Sequence, residues 1–110
     1  MRLPRGDQAV IDSRKLTDYC LSLEHDDGQH KARLFQELLG LTQGNAELLI
    51  DALKKAAASG DAVKGRADRY GQRYVVDFEF AGPSGKAMLR SAWIVPRGER
   101  VPRLVTCYIL

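Results

Sequence analysis

A histidine and a lysine lie on either side of a glycine in the N-terminal half of the chain, at His25, Gly28 and Lys31. Histidine alone changes charge near neutral pH without a large environmental shift, so His25 could accept or donate a proton. Lys31 falls at the predicted start of a helix, where unpaired N–H groups and the helix dipole favour a phosphate. These residue types fit proton transfer beside a phosphate. The alternative, solvated first-turn residues Lys31 and Arg33 after a solvated loop, stays open.

The C-terminal segment supplies a second group of polar side chains. Thr106 and Tyr108 share one face of the last predicted strand. The opposite face of that strand is predicted to carry Val105, Cys107 and Ile109. On the neighbouring strand, Trp93 should face the core and Arg90 should point the other way, beside Thr106 or Tyr108. An arginine on a sheet offers a rigid, permanently charged phosphate donor. Thr and Tyr are also ordinary strand formers, so the pattern alone does not make a site.

Positive charge is concentrated at the C-terminal end, although the whole chain carries a net charge of only +3. Residues 86–110 hold five basic side chains and one acidic one, five minus one giving a local +4, namely Lys86, Arg90, Arg97, Arg100 and Arg103 against Glu99. This balance favours a polyanionic partner such as RNA. The basic turn formed by Arg97, Arg100 and Arg103 is the candidate guide for an RNA backbone.

Two other patterns are interpreted as structural. Residues 82–87, GPSGKA, resemble a phosphate-binding loop, but Phe80 replaces the first glycine of that motif and Ala87 replaces its Ser/Thr. A hairpin turn explains this segment better. Residues 24–30 contain carboxylates and imidazoles, yet neighbours in one polar loop seldom converge on an ion, so no metal and no cofactor are expected. Cys20 and Cys107 form no metal-ligand spacing and are interpreted as buried thiols in a reducing compartment.

The hydrophobic pattern predicts three helices followed by four strands. Asp12 should cap a helix beginning at Ser13, with Ile11 packed on Leu16; its apolar stripe is Leu16, Tyr19, Cys20 and Leu23. The second helix should span 31–39, with Gly40 as a left-handed cap and a core face of Leu34, Phe35 and Leu38. The third should span 46–59, capped by Asn45 and ended by Gly60, with a core face of Leu48, Leu49, Ala52, Leu53 and Ala56.

After Gly60 the apolar period changes from about 3.6 to 2, which is typical of strands. Strands are expected at 62–66, 74–80, 88–95 and 103–109, with a turn at 82–85. Short connections favour antiparallel neighbours, so the predicted fold is α+β, with three N-terminal helices packed on a four-stranded antiparallel meander. The length of 110 residues fits a single domain spanning 1–110. No apolar run reaches the roughly 20 residues of a membrane span, and no secretory leader is apparent, so a cytoplasmic protein or a fragment of a larger one is expected.

The order of several short motifs resembles a bacterial domain family of unknown function that is associated with small toxin-like proteins and C-terminal domains of polymorphic toxins. Those motifs are His25 and Gly28, Lys31-Ala32, Arg33, Phe35, a glycine after the second helix, Tyr74-Val75-Val76, Trp93-Ile94-Val95, and the segment 102–108. More distantly, the chain is similar to the barnase, EndoU and RelE-like group of metal-independent ribonucleases. It departs from the family pattern at Asp26-Asp27, where a proline is expected, and after Tyr108, where a proline is also expected.

The resemblance implies a toxin-type endoribonuclease that uses internal 2′-hydroxyl attack. His25 would transfer a proton, Lys31 and Arg90 would stabilise the transition state, Thr106 would bind a phosphate oxygen, and Tyr108 would contact a base. The partners it implies are RNA and a small cognate antitoxin or immunity protein, with no membrane. Secretion as part of a larger toxin is compatible with this hypothesis. The alternative is a non-enzymatic nucleic-acid- or protein-binding module, such as an antitoxin-like partner, in which His25 has no role.

Overall fold

The computed structural model describes residues 1–24 and 29–110. Within these residues, three helices precede a four-stranded antiparallel sheet, so the predicted α+β architecture is confirmed. We name the helices α1 (Ser13–Lys15, continued by a π-helical turn Leu16–Cys20), α2 (Gln29–Leu34, continued by a π-helical turn Phe35–Leu39) and α3 (Ala46–Ser59). Short 3-10 turns cover Gly6–Gln8 and Gln43–Asn45. No helix in the described part of the chain is long and apolar enough to span a membrane.

The ends of the helices follow from local hydrogen bonding. The Asp12 side chain accepts a hydrogen bond from the Arg14 backbone N–H at 3.0 Å, which confirms the predicted N-cap of α1. Gly40 adopts a left-handed conformation with φ 70°, as predicted for the end of the second helix. Asn45 occupies the predicted N-cap position of α3, but its side chain serves another turn. Thr42 and Asn45 form a capping box around the preceding 3-10 turn, and Asn45 makes no side-chain cap bond to α3 itself.

The four strands form a meander in sequence order, with β1 (Ala62–Asp68), β2 (Gly71–Gly82), β3 (Gly85–Pro96) and β4 (Arg103–Ile109). Gly82 pairs with Gly85 around a tight turn, so the hairpin interpretation of residues 82–85 is confirmed. From that turn the β2–β3 pairing runs without a break to Gly71 and Pro96. This uninterrupted register fixes which side chains of the two longest strands lie opposite each other.

A bulge in β4 changes the predicted faces of that strand. Ala92 pairs with Thr106 but the next residue, Trp93, pairs with Leu104, so Val105 is the extra residue. The predicted alternation of Val105, Cys107 and Ile109 is therefore interrupted at Val105. Because the bulge adds one residue, Leu104 and Cys107 both point into the core, and Thr106 keeps the opposite face.

One hydrophobic cluster fills the space between the helices and one face of the sheet. Its largest fully buried side chains include Trp93, Phe35, Leu16, Leu39, Leu49 and Leu53. Four leucines that were predicted to face the core are instead 41–49% exposed, namely Leu23, Leu34, Leu38 and Leu48. On α2, Phe35 is buried as predicted, and Ala32 and Leu39 complete the core face. These three residues are spaced by three and four positions, so the buried face keeps the helical period but is rotated away from Leu34 and Leu38.

The N-terminal segment, residues 1–10, contacts the chain at both edges of the sheet. The Met1 ammonium group forms an ion pair with Asp61 at 2.8 Å, just before β1. Val10 donates its backbone N–H to the Pro102 carbonyl and accepts from the Leu104 N–H, making one parallel bridge at the start of β4. These contacts hold α1 next to the β4 edge of the sheet.

Candidate functional site

Lys31, on α2, reaches across to β4 and contacts two of the side chains predicted for the same site. Its Nζ donates a hydrogen bond to Thr106 Oγ1 at 2.9 Å, joining residues that are 75 positions apart in the sequence. The same Nζ lies 5.8 Å from the centre of the Tyr108 ring, within cation–π range. Thus a lysine, a hydroxyl and an aromatic ring meet at the edge of the sheet.

Arg90 lies directly beside this group. It pairs with Tyr108 across the β3–β4 ladder, and its side chain also interacts with the Tyr108 hydroxyl. The Arg90 guanidinium binds Asp77 through two hydrogen bonds, from Nε at 2.8 Å and from Nη2 at 2.9 Å. These bonds raise the pKa of Arg90 above its usual value and hold the pKa of Asp77 below its usual range. Arg90 is therefore a fixed, fully charged donor that is already paired with one carboxylate.

The basic turn adjoins this cluster. Arg97 and Arg100 are exposed between β3 and β4, and Arg103 lies 3.5 Å from Glu99 in an exposed ion pair. Arg103 pairs with Ile94 and Thr106 pairs with Ala92, so the bulge at Val105 places Arg103 on the same face of the sheet as Thr106.

His25 lies outside the described residues, so its place relative to Lys31 remains a prediction. His30 is described, and it is exposed on the first turn of α2. Among residues 1–24 and 29–110, no group of three or more His, Cys, Asp or Glu side chains could hold a metal ion.

A cavity of about 640 Å³ opens between α1 and the edge of β4. Its walls are formed by Asp12, Arg14, Lys15, Asp18, Cys20, Val105 and Thr106. Thr106 thus belongs both to the wall of this cavity and to the hydrogen bond with Lys31. The sequence analysis did not include the α1 residues in a site, because only the folded chain brings them beside β4.

The two cysteines are free and buried. Burial, together with the nearby Cys20 thiol and against the opposing charge of Lys31, raises the pKa of the Cys107 thiol to about 12. Cys107 is therefore a neutral thiol at physiological pH. This agrees with its interpretation as a core residue rather than a nucleophile.

The sequence of residues 2–110 matches the family described as "Domain of unknown function (DUF6883)". The chain belongs to the DUF6883 family. A search of curated proteins finds no match. The fold is similar to that of a solved chain from a "Contact-dependent growth inhibition toxin - immunity protein complex from Klebsiella pneumoniae 342", with a TM-score of 0.70 and 22% sequence identity. The similarity covers 90% of this chain and 97% of that one.

Sequence reasoning missed Asp77 as the partner of Arg90, although the register could have revealed it. Gly82 pairs with Gly85, and counting outward residue by residue from that turn places Asp77 opposite Arg90. The strand alternation also puts both side chains on the face opposite the core. Asp77 and Arg90 of this DUF6883 chain are therefore cross-strand neighbours on the open face of the sheet.

Proposed function

We propose that this DUF6883 chain is the toxic domain of a bacterial toxin–immunity pair, and that it cleaves RNA without a metal ion. The observation that carries the proposal is the meeting of Lys31, Thr106 and Tyr108 beside Arg90. Two cations, a hydroxyl and an aromatic ring are the groups that bind a phosphodiester and an unstacked base. Neighbouring helices and strands hold them, and rigid elements keep such groups in position.

The proposed reaction requires no group beyond side chains and RNA. The 2′-oxygen attacks the adjacent phosphorus as a base removes its proton, and the bond to the 5′-oxygen breaks as an acid protonates that oxygen. The products are a 2′,3′-cyclic phosphate and a 5′-hydroxyl. Lys31 and Arg90 stabilise the charge that builds on the phosphate oxygens, and Thr106 binds one of those oxygens. His25 is the proposed proton-transfer residue.

The structural neighbour supports the toxin part of this proposal. That chain comes from a complex of a contact-dependent growth inhibition toxin with an immunity protein. The shared fold extends over 90% of the present chain, so the similarity includes both the helices and the sheet. On this basis we propose a cognate immunity protein as a second partner besides RNA.

Inducible expression in a bacterium tests the proposal. The wild-type chain should arrest growth, and Lys31→Ala should relieve the arrest, because it removes a cation from the reacting phosphate. Losing one such donor lowers the rate of comparable sites by roughly 10²- to 10³-fold. Arg33→Ala is the matched control, since Arg33 is an exposed cation on the same helix. Equal arrest by wild type, Lys31→Ala and Arg33→Ala would contradict the assigned site.

An immunity-type binding module is the second candidate function. It is favoured by the same neighbour, whose complex contains both a toxin and an immunity protein, and by the pairing of Arg90 with Asp77, which occupies part of that guanidinium. Under this alternative, expression of the wild-type chain does not arrest growth but protects cells against a toxin encoded beside it. Protection without arrest would replace the nuclease proposal.

A further inference from the structure

The cavity between α1 and β4 adjoins the proposed reaction site through one shared residue. Thr106 accepts the Lys31 hydrogen bond and also forms part of the cavity wall. We infer that this cavity holds the nucleotide next to the cleaved phosphate, with Arg14 and Lys15 on its phosphate and Asp18 on the base. This inference rests on the proposed function and names a substrate subsite for it.

The size of the cavity fits one nucleotide. Its volume of about 640 Å³ falls within the roughly 300–1,000 Å³ range of small-molecule sites. One wall comes from α1 and the other from the edge of β4. Cys20 and Val105 add an apolar surface to the otherwise polar lining.

The charges of the residues that line the cavity favour a nucleotide subsite over a surface that binds only phosphates. The α1 wall carries two cations, Arg14 and Lys15, and two carboxylates, Asp12 and Asp18, so the wall itself has no net charge. A surface that only followed phosphates would carry cations alone. Mixed charge suits a nucleotide, since a cation can bind the phosphate and a carboxylate can bind base donors.

Asp18 is better placed than Asp12 to bind a base. Asp12 accepts the Arg14 backbone N–H in the helix cap, whereas Asp18 is exposed and accepts one side-chain bond, from Thr17 Oγ1 at 3.2 Å. An ionised carboxylate has two acceptor oxygens and no donor. It therefore favours a base with an exocyclic amino group, such as cytosine, over uracil, which presents a carbonyl at the same position.

The cations are tested by binding of short 2′-O-methyl RNA, which cannot undergo internal attack, at several salt concentrations. Each lost phosphate contact on a single strand should reduce the salt slope by about 0.7, so Arg14→Ala/Lys15→Ala should reduce it by about 1.4. The double variant Lys54→Ala/Lys55→Ala removes the same charge from exposed positions on α3 and should change the slope less. Equal slopes in the two double variants would overturn the phosphate assignment.

The base assignment is tested with 2′-O-methyl oligocytidine and oligouridine of equal length. The wild type should bind oligocytidine at least about fivefold more tightly, as expected for one good base contact, and Asp18→Asn should lose most of that preference. Asp51→Asn, which neutralises an exposed carboxylate on α3, should retain it. A preference unchanged in Asp18→Asn, or absent from the wild type, would overturn the role of Asp18.

These outcomes separate the subsite from the function on which it rests. Wild-type protein that binds and cleaves RNA, with Arg14→Ala/Lys15→Ala and Asp18→Asn unchanged, would refute the subsite alone. Wild-type protein that neither binds nor cleaves RNA would refute both. Circular dichroism of each variant confirms that any loss of binding is not a loss of folding.

Discussion

Ser91 lies next to Arg90 on β3, with its side chain in the core. Its replacement should lower the free energy of unfolding substantially. Its side chain is fully buried, donating a hydrogen bond to the Val76 carbonyl and accepting one from Trp93 Nε1, both at 2.8 Å. Trp93 is also fully buried. Ser91→Ala removes both bonds and leaves the indole N–H without its partner.

The expected loss follows from these two bonds. A buried donor left without a partner costs about 1–3 kcal/mol, and the net loss of an ordinary hydrogen bond costs about 0.5–1.5 kcal/mol. Ser91→Ala should therefore lower the free energy of unfolding by about 1.5–4.5 kcal/mol. Urea denaturation followed by circular dichroism measures this difference directly, and the slope with urea should stay constant if only stability changes.

A double-mutant cycle with Trp93→Phe separates the indole bond from other effects. Trp93→Phe removes the N–H, so adding Ser91→Ala in that background should cost about 1–2 kcal/mol less than it does in the wild type. A loss below about 0.5 kcal/mol for Ser91→Ala, or strictly additive single effects, would refute the account of this buried network.

Three further predictions follow from other parts of the molecule. Burial raises the pKa of the Cys107 thiol from 9.0 to about 12. The contribution of this thiol to the free energy of unfolding is therefore complete below pH 9 and is lost as the pH rises toward 12. The free energy of unfolding should decline less over this pH range in Cys107→Ala. Arg90 lowers the pKa of Asp77 below 3.8, so the stability advantage of wild type over Asp77→Asn should be present near neutral pH and vanish as the pH falls below that value, as measured by urea denaturation. Gly6→Ala would place a methyl group against the α3 backbone and should cost about 1–3 kcal/mol, whereas Gly44→Ala, with ordinary contacts, should change the unfolding midpoint little.

The strands were predictable because their signals are local. Alternation around Tyr74 to Phe80, a turn at 82–85 and a basic turn before Arg103 are sufficient to order four antiparallel strands. Their ends were predicted too short, since β2 begins at Gly71 and β3 runs from Gly85 to Pro96. The residues at the ends of a hairpin pair through backbone hydrogen bonds, which leave little pattern of hydrophobic side chains in the sequence.

The faces of the helices and of β4 were harder to predict. Leu34, Phe35 and Leu38 were predicted to face the core, but only Phe35 is buried, and Ala32 and Leu39 complete the buried face of α2. The bulge at Val105 likewise depends on how β4 pairs with β3. Both departures are set by packing between distant segments, which a single sequence does not reveal.

The site was predictable only in part, because some of its contacts join distant segments of the chain. Arg90 beside Tyr108 follows from strand pairing, and the sequence analysis expected it. The contact of Lys31 with Thr106 was expected only from the family resemblance, because it joins a helix to the last strand. The α1 wall of the cavity depends on the docking of α1 on β4, and no motif in residues 12–18 indicates it.

Cleavage of RNA by the purified chain in EDTA tests the central claim most directly. We expect products that end in 2′,3′-cyclic phosphate, a rate roughly 10²- to 10⁴-fold lower in His25→Ala, as for other general acid–base residues, and a comparable loss in Lys31→Ala. A substrate with a single 2′-deoxy sugar at the cleaved position should resist cleavage, since it lacks the attacking oxygen. Cleavage of that deoxy substrate, or activity abolished by EDTA in the wild type and restored by added divalent metal, would contradict the account.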